Sequence, residues 1–354
     1  MDLYKPGTFS DVFFRAAAKP AGPSANDLID AIQEEYPALR GRTCYIPGQG
    51  INAYTVIIEG MDGAPNFVFK APIRAGAVAP LEEERRRLEH LQGRGLPVPE
   101  VTHIGKKYAY FGMLQIPGVS LYEQYSSMTP VEFENLGREV GAFVAGMAQA
   151  CPIDNTPEWF HADADFYDPL QSGISSIGKA MDNRIVRKAL GDTFAAAERA
   201  AKEYTVVFSD EEARRKSRII THLDLNEGNI IVDPLTKRLA GIIDFGSVGP
   251  FWPELVGVDY PFPFLKGLCE GCTANGIPVE YRHALLADFK NKMNQLCRAA
   301  GSKNSRTARV TGAAKAVEAC LYELASLDGT PQPAAARPRL RRFVRRLNFP
   351  KLNK

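Results

Sequence analysis

The residues in this chain best suited to chemistry lie in one short run. Thr221-His222-Leu223-Asp224-Leu225-Asn226-Glu227-Gly228-Asn229 has H-x-D-x-x-x-x-N spacing between two apolar stretches, and Gly241-Ile242-Ile243-Asp244-Phe245-Gly246 follows. The flanks Ile219-Ile220 and Ile230-Ile231-Val232 read as strands, and Asp233-Pro234-Leu235-Thr236 reads as the turn between the second of them and the strand ending at Asp244. That pattern puts a carboxylate (Asp224), an amide (Asn229) and a second carboxylate (Asp244) at the ends of neighbouring strands. Phosphoryl transfer asks a protein for little more: one group to orient and deprotonate an attacking hydroxyl, and oxygen ligands for a metal that offsets phosphate charge. A solvated hairpin loop has no need of His, Asp, Asn and Asp in this order.

Such a site needs elements to hold a nucleotide, and the amino-terminal half supplies candidates. Gly48-Gln49-Gly50-Ile51-Asn52 is a glycine turn entering an apolar strand, where backbone N–H groups approach phosphates closely. Asn66-Phe67-Val68-Phe69-Lys70-Ala71 is an alternating strand with a single lysine. Leu81-Glu82-Glu83-Glu84-Arg85-Arg86-Arg87-Leu88-Glu89-His90-Leu91 reads as a helix with Leu81, Leu88 and Leu91 on its buried stripe; its charge run reads as a solvated face with i,i+4 pairs.

Together these motifs resemble the aminoglycoside phosphotransferase and choline kinase family, and the wording T-H-L-D-L-N-E-G-N-I-I-V-D is most similar to its fungal members. The resemblance implies an α+β, two-lobed protein-kinase-like fold, with a small β-rich N-lobe and a larger, mainly helical C-lobe. It implies Asp224 as catalytic base, His222 as a brace of the loop, and Asn229 and Asp244 as Mg²⁺ ligands. Lys70 is then the residue on the α- and β-phosphates of ATP. Its partner is Glu84, with Glu83 as the alternative and only one of Glu82, Glu83 and Glu84 facing inward. Gly48, Gly50 and Asn52 close over the nucleotide, and the strand and turn from Tyr108 to Gly118 form the hinge, where backbone groups around Leu114 to Ile116, Gln115 among them, meet the purine. Asn226 stands where Ser/Thr protein kinases usually carry Lys, and no A-P-E segment follows D-F-G. A small-molecule kinase is therefore favoured over a protein kinase, and a complete set of catalytic groups argues against a non-catalytic scaffold. The chain departs from the family after Asp244, where Glu254 or Asp259 stands in for the usual acidic residue, and at Leu223, where many relatives carry Gly.

Composition sets the frame. The chain has 354 residues, net charge +2, 45% hydrophobic and 10% aromatic residues, enough for a globular core rather than disorder. No apolar stretch reaches a membrane span, no secretory leader is apparent at the start, and six cysteines in a chain this size fit reduced thiols in the cytoplasm. Cys269-Glu270-Gly271-Cys272 is a lone C-x-x-C without a second pair, a poor zinc signal. The expected division is a helical extension over 1–40, a nucleotide-binding lobe over 41–115, a catalytic and substrate-binding lobe over 116–330 and a basic tail over 331–354. Helical spacing runs over 26–35, 130–147, 177–204, 281–296 and 308–327. The tail holds six arginines between 337 and 346, and reads as a docked terminal helix, with weak peripheral contact to an anionic membrane as the alternative. The expected partners are ATP and a small hydroxylated acceptor, not nucleic acid. The segment from Leu255 onward holds 17 Lys and Arg against 7 Asp and Glu, a poor complement to a polycationic aminoglycoside. Aromatics such as Trp159, Phe160, Trp252, Tyr260 and Phe264 suit either an acceptor pocket or the core.

Overall fold

The computed structural model describes residues 24–47, 53–61, 63–73, 75–106, 108–160, 169–301 and 307–329. Gly48, Gly50 and Asn52, and the basic tail, lie outside the described residues. Packing divides the chain into two compact units. The first gathers the described residues up to Tyr122, a short segment from Asp154, and His222–Gly249; the second takes the remainder.

The first unit is built on a five-stranded sheet of β1 (Cys44–Tyr45), β2 (Ala53–Ile58), β3 (Phe67–Pro72), β4 (Val101–Ile104) and β5 (Phe111–Leu114), in the order β1-β2-β3-β5-β4. Its pairings are antiparallel, with Thr55 opposite Lys70 and Lys70 opposite Phe111. Alternation sorts the side chains. Tyr54, Val56, Ile58, Phe69, Ala71 and Ile73 enter one apolar cluster with Leu28 and Ile32. The last two come from helix α1 (Ala25–Glu35), whose N-terminus is a capping box of Ser24 and Asp27. Lys70, between Phe69 and Ala71, is thereby turned to the opposite face.

On helix α2 (Val78–Gln92) the buried residues are Leu81, Glu84, Arg87, Leu88 and Leu91. Burial of each leucine contributes about 1.5–3 kcal/mol, and this apolar stripe carries Glu84 and Arg87 inward with it. A second, three-stranded sheet orders β6 (Val119–Ser120), β8 (Ile230–Val232) and β9 (Leu239–Ile242) as β6-β8-β9. Strand β7 (Ile219–His222) leads into the loop before β8.

The second unit is helical. Helix α4 (Pro130–Ala150), which follows the single turn α3 (Leu121–Gln124), opens on the capping box Thr129/Glu132. The helical spacing over 177–204 is shared among three helices: α5 (Pro169–Asp182), α6 (Arg184–Leu190) and α7 (Phe194–Phe208). Asn183 caps α6 by accepting from the Ile185 and Val186 N–H groups, and Gly191 ends it at φ 50°. After α8 (Glu211–Lys216) come α9 (Phe262–Ala274), α10 (Tyr281–Gly301) and α11 (Thr307–Leu327). α4 and α9 approach through four glycines. A Cβ on Gly137, Gly141, Gly267 or Gly271 would lie 2.0–2.2 Å from a carbonyl oxygen of the facing helix.

Cys269 and Cys272 are buried free thiols of α9, and the Cys272 thiol donates to the Gly141 carbonyl. Phe160, Trp252, Tyr260 and Phe264 are core residues, and Tyr260 stacks on Phe264. Asp259 of this unit holds φ 76°, and its carboxylate accepts from Asn291 and Gln295 of α10. No helix of the described residues is long and apolar enough to cross a membrane.

Candidate active site

Three elements of the first unit converge on one ammonium group. Lys70 Nζ, from β3, lies 2.7 Å from Glu84 Oε1 of α2 and 2.8 Å from Asp244 Oδ1 just past β9. Glu84 is thus the inward carboxylate of the three: Glu82 pairs with Arg85 and Arg86, and Glu83 with Arg87. Burial opposes the charge on Lys70, but the two carboxylates outweigh it and hold the lysine pKa above its ordinary value. Burial is also the largest influence on Glu84 and lifts its carboxyl, with Lys70 working against the rise. Asp244 resists ionisation through burial, yet the neighbouring ammonium wins and keeps it below the usual carboxylate range.

Asp244 sits at φ 67°, a left-handed conformation that costs an L-residue about 1–2 kcal/mol and that Asp tolerates better than most. Its flanks are fixed on both sides. The Ile243 carbonyl takes a hydrogen bond from His222 Nε2 at 3.1 Å. A carbonyl only accepts, so the proton is on Nε2, and Nδ1 accepts the Asp224 N–H at 3.1 Å. Burial holds the His222 pKa below its ordinary value. The neutral ring is therefore a two-ended brace between the Asp224 loop and the Asp244 segment, and it packs edge-on against Phe245, 5.0 Å between centroids.

The Asp224 loop is shaped by amides. Asn226 Nδ2 donates to Asp224 Oδ1 at 2.8 Å, and its oxygen accepts the Gly228 N–H. Asn229 Nδ2 donates to the Asp224 carbonyl at 2.7 Å and to Oδ2 at 3.3 Å. Asp224 itself is exposed while Asn229 is buried. With its nitrogen committed to Asp224, the amide oxygen of Asn229 is the atom that could meet a cation. Ile230 pairs with Ile242, and the Ile243 N–H donates to the Asn229 carbonyl at 3.0 Å. Asn229 and Asp244 are therefore brought to the same end of the β8–β9 pair. An amide oxygen and a carboxylate are hard ligands that suit Mg²⁺.

In the five-stranded sheet, at the end of β3 away from Lys70, the Gln115 N–H donates to the Asn66 carbonyl, and its side-chain oxygen accepts from Asn66 Nδ2 at 2.8 Å. The Leu114 N–H is likewise committed, to the Glu100 carbonyl. Glu254 and Asp259 belong to the second unit.

Two residues gain a place that the sequence did not give them. Asn226 separates kinase types by its identity, but its direct hold on the Asp224 carboxylate appears only in the fold. Arg87 looks like one more solvated charge, yet it is 1% exposed. Only its phase on the Leu81/Leu88/Leu91 stripe hints at burial.

A small antiparallel sheet with a lysine–glutamate pair to its helix, followed by a hairpin bearing the second carboxylate, defines a kinase-like fold. Comparison with known proteins agrees. The model of the phosphotransferase enzyme family (APH) matches residues 45–254. The chain is 25% identical over 195 residues to an aminoglycoside 3′-phosphotransferase of Streptomyces fradiae, covering 54% of this chain and 68% of that protein. The GDP complex of wild-type aminoglycoside 2′-phosphotransferase-IIIa superposes with a TM-score of 0.55 at 16% identity, over 85% of this chain and 99% of the other. The GDP and kanamycin complex of APH(2")-IIia gives 0.53 at 16%, over 83% and 97%. At those identities the superpositions speak for the fold alone. The match over residues 45–254 is more than half of the chain, and the chain belongs to the phosphotransferase enzyme family. It is a phosphotransferase of the small-molecule kinase type.

Proposed function

We propose that this enzyme transfers the γ-phosphate of ATP to a hydroxyl of a small molecule in a Mg²⁺-dependent reaction. The observation that carries the reading is Lys70 held between Glu84 and Asp244 at 2.7 and 2.8 Å, a cation locked in place by two different elements. Lys70 orients the α- and β-phosphates, with Glu84 fixing its direction. Asp224, exposed and steadied by Asn226 and Asn229, accepts the proton of the attacking hydroxyl. Asn229 and Asp244 hold Mg²⁺, which offsets phosphate charge when bound. His222 keeps the two loops in register. Gly48, Gly50 and Asn52 belong to the turn over the phosphates, and the hinge at Gln115 meets the purine through its carbonyls and through Ile116. Positioning and charge compensation do most of the work. The nucleotide lobe is 41–115 and the catalytic and acceptor-binding lobe 116–330, after a helical extension over 1–40 and before the basic tail over 331–354. Six free thiols support a cytoplasmic setting.

The relatives named above are aminoglycoside kinases, but the basic balance beyond Leu255 favours an acceptor less cationic than an aminoglycoside. The test pairs binding with turnover. Mg-ATP is expected to raise the melting temperature of the wild type but not of Asp244→Ala. Asp224→Ala is expected to keep the shift and lose transfer in a hydroxyl-acceptor screen. Equal turnover in wild type and Asp224→Ala would overturn the mechanism.

A further inference from the structure

Arg87 is a buried guanidinium whose donors go mainly to main-chain oxygens. Its Nε donates to the Trp159 carbonyl at 2.7 Å. One terminal nitrogen donates to the Phe245 carbonyl at 3.2 Å and the Gly246 carbonyl at 3.0 Å, and the other to Glu83 Oε2 at 3.1 Å. Burying an arginine is costly unless its fork is well satisfied, so a purely structural helix residue here would more cheaply be a leucine. Two of the three carbonyls it binds belong to the first and second residues after Asp244. The carbonyl immediately before Asp244, that of Ile243, is held by His222. Asp244 is thus a left-handed residue whose preceding peptide is held by His222 and whose following segment is held at the second and third peptides by Arg87. Arg87 lies one helical turn from Glu84 on the same inward face of α2, so a single helix sets both Lys70's partner and the segment that aims Asp244.

We propose that Arg87 is a positioning residue for the metal site: it fixes the Phe245-Gly246 peptides so that the Asp244 carboxylate is pre-aimed for Mg²⁺ rather than free to rotate. Glu83 steadies the outer end of the guanidinium and is dispensable. This rests on the function proposed above, and the experiment separates the two. ATP affinity is measured with and without Mg²⁺ on the full chain for wild type, Arg87→Lys, Arg87→Met and Glu83→Gln, alongside amide hydrogen exchange of residues 244–248 without ligand.

Arg87→Met is expected to cut the metal-dependent gain in ATP affinity at least tenfold while leaving metal-free affinity within about twofold. Arg87→Lys should recover part of the loss and Glu83→Gln should match wild type. Faster exchange at residues 244–248 is expected in Arg87→Lys and Arg87→Met. Equal loss of metal-free and metal-dependent binding, or unchanged exchange in Arg87→Lys, overturns the proposal. Absence of a Mg²⁺ effect in wild type would instead strike the function, and the exchange result would still decide whether Arg87 holds the segment. If Arg87→Met does not fold, Arg87→Lys carries both measurements.

Discussion

Replacing Lys70 with Met removes a charge while keeping much of the side-chain length, and the structure sets the cost. Glu84 is 4% exposed, and Lys70 is its ion-pair partner at 2.7 Å. Deleting one member of a buried pair strands the other and typically costs about 3–5 kcal/mol. Two features push this case toward the lower end. Asp244, whose side chain is half exposed, can turn to water, and Glu84 can take up a proton. The second escape makes the penalty depend on pH with a definite sign. Burial already raises the Glu84 pKa, and in wild type Lys70 opposes that rise; the variant loses the opposition, so the folded-state pKa climbs further. A carboxyl whose folded pKa exceeds its unfolded value contributes stability that is complete below the unfolded value and lost as pH rises through the folded one. Lys70→Met should therefore be about 3 kcal/mol less stable than wild type near pH 8, with the gap narrowing toward pH 5. Trp159 lies in the first unit and Trp252 in the second, so urea unfolding followed by Trp159 fluorescence in a Trp252→Phe background reads the relevant unit. A penalty below about 1 kcal/mol, or one that does not change with pH, would refute the buried-pair account.

Two further outcomes follow from the packing. Gly141→Ala would place a Cβ 2.2 Å from the Leu268 carbonyl and should destabilise by about 1–3 kcal/mol. Gly178→Ala, at an exposed position of α5 with nothing within 4 Å of the new methyl, should stabilise by about 0.5–1 kcal/mol; a Gly141→Ala midpoint that rises as the Gly178→Ala midpoint does would contradict the close α4–α9 approach. Asn226→Ala removes the 2.8 Å bond to Asp224 Oδ1, and kcat is expected to fall about tenfold, the scale of a bond to a charged group, with KM for ATP unchanged. A change confined to that KM would place Asn226 on the nucleotide instead.

What could be read from the sequence, and what could not, divides by how far apart in the chain the cooperating groups lie. His222, Asp224, Asn229 and Asp244 lie within 23 consecutive residues around the β8–β9 hairpin, so strand periodicity and a turn bring them close with little help from the rest of the fold. The choice of Glu84 over Glu82 and Glu83 was also within reach, because it shares helical phase with Leu81, Leu88 and Leu91. Arg87 shares that phase too, but it reaches carbonyls at 245 and 246, nearly half the chain away, and carbonyls carry no residue-type signal. The α4–α9 glycines are hidden for a similar reason. Gly137 and Gly141 fall one turn apart, as do Gly267 and Gly271, but each pair reads as weak helix until the facing backbone is known. The break of 177–204 at Asn183 and Gly191 was written in residue types that favour caps, and apolar spacing on either side masked it.

The same division explains why Arg87 and Lys70 call for different experiments. Lys70 is held by side chains, so its removal unbalances charge and is read as stability against pH. Arg87 is held mostly by main-chain oxygens that do not titrate, so its removal frees a peptide segment and is read as exchange and metal dependence. Both act on Asp244, one through its carboxylate and the other through the peptides that follow it. If the two variants gave the same pattern, with pH-dependent stability and no change in exchange at residues 244–248, Asp244 would be governed by its ion pair alone and its left-handed backbone would need no clamp.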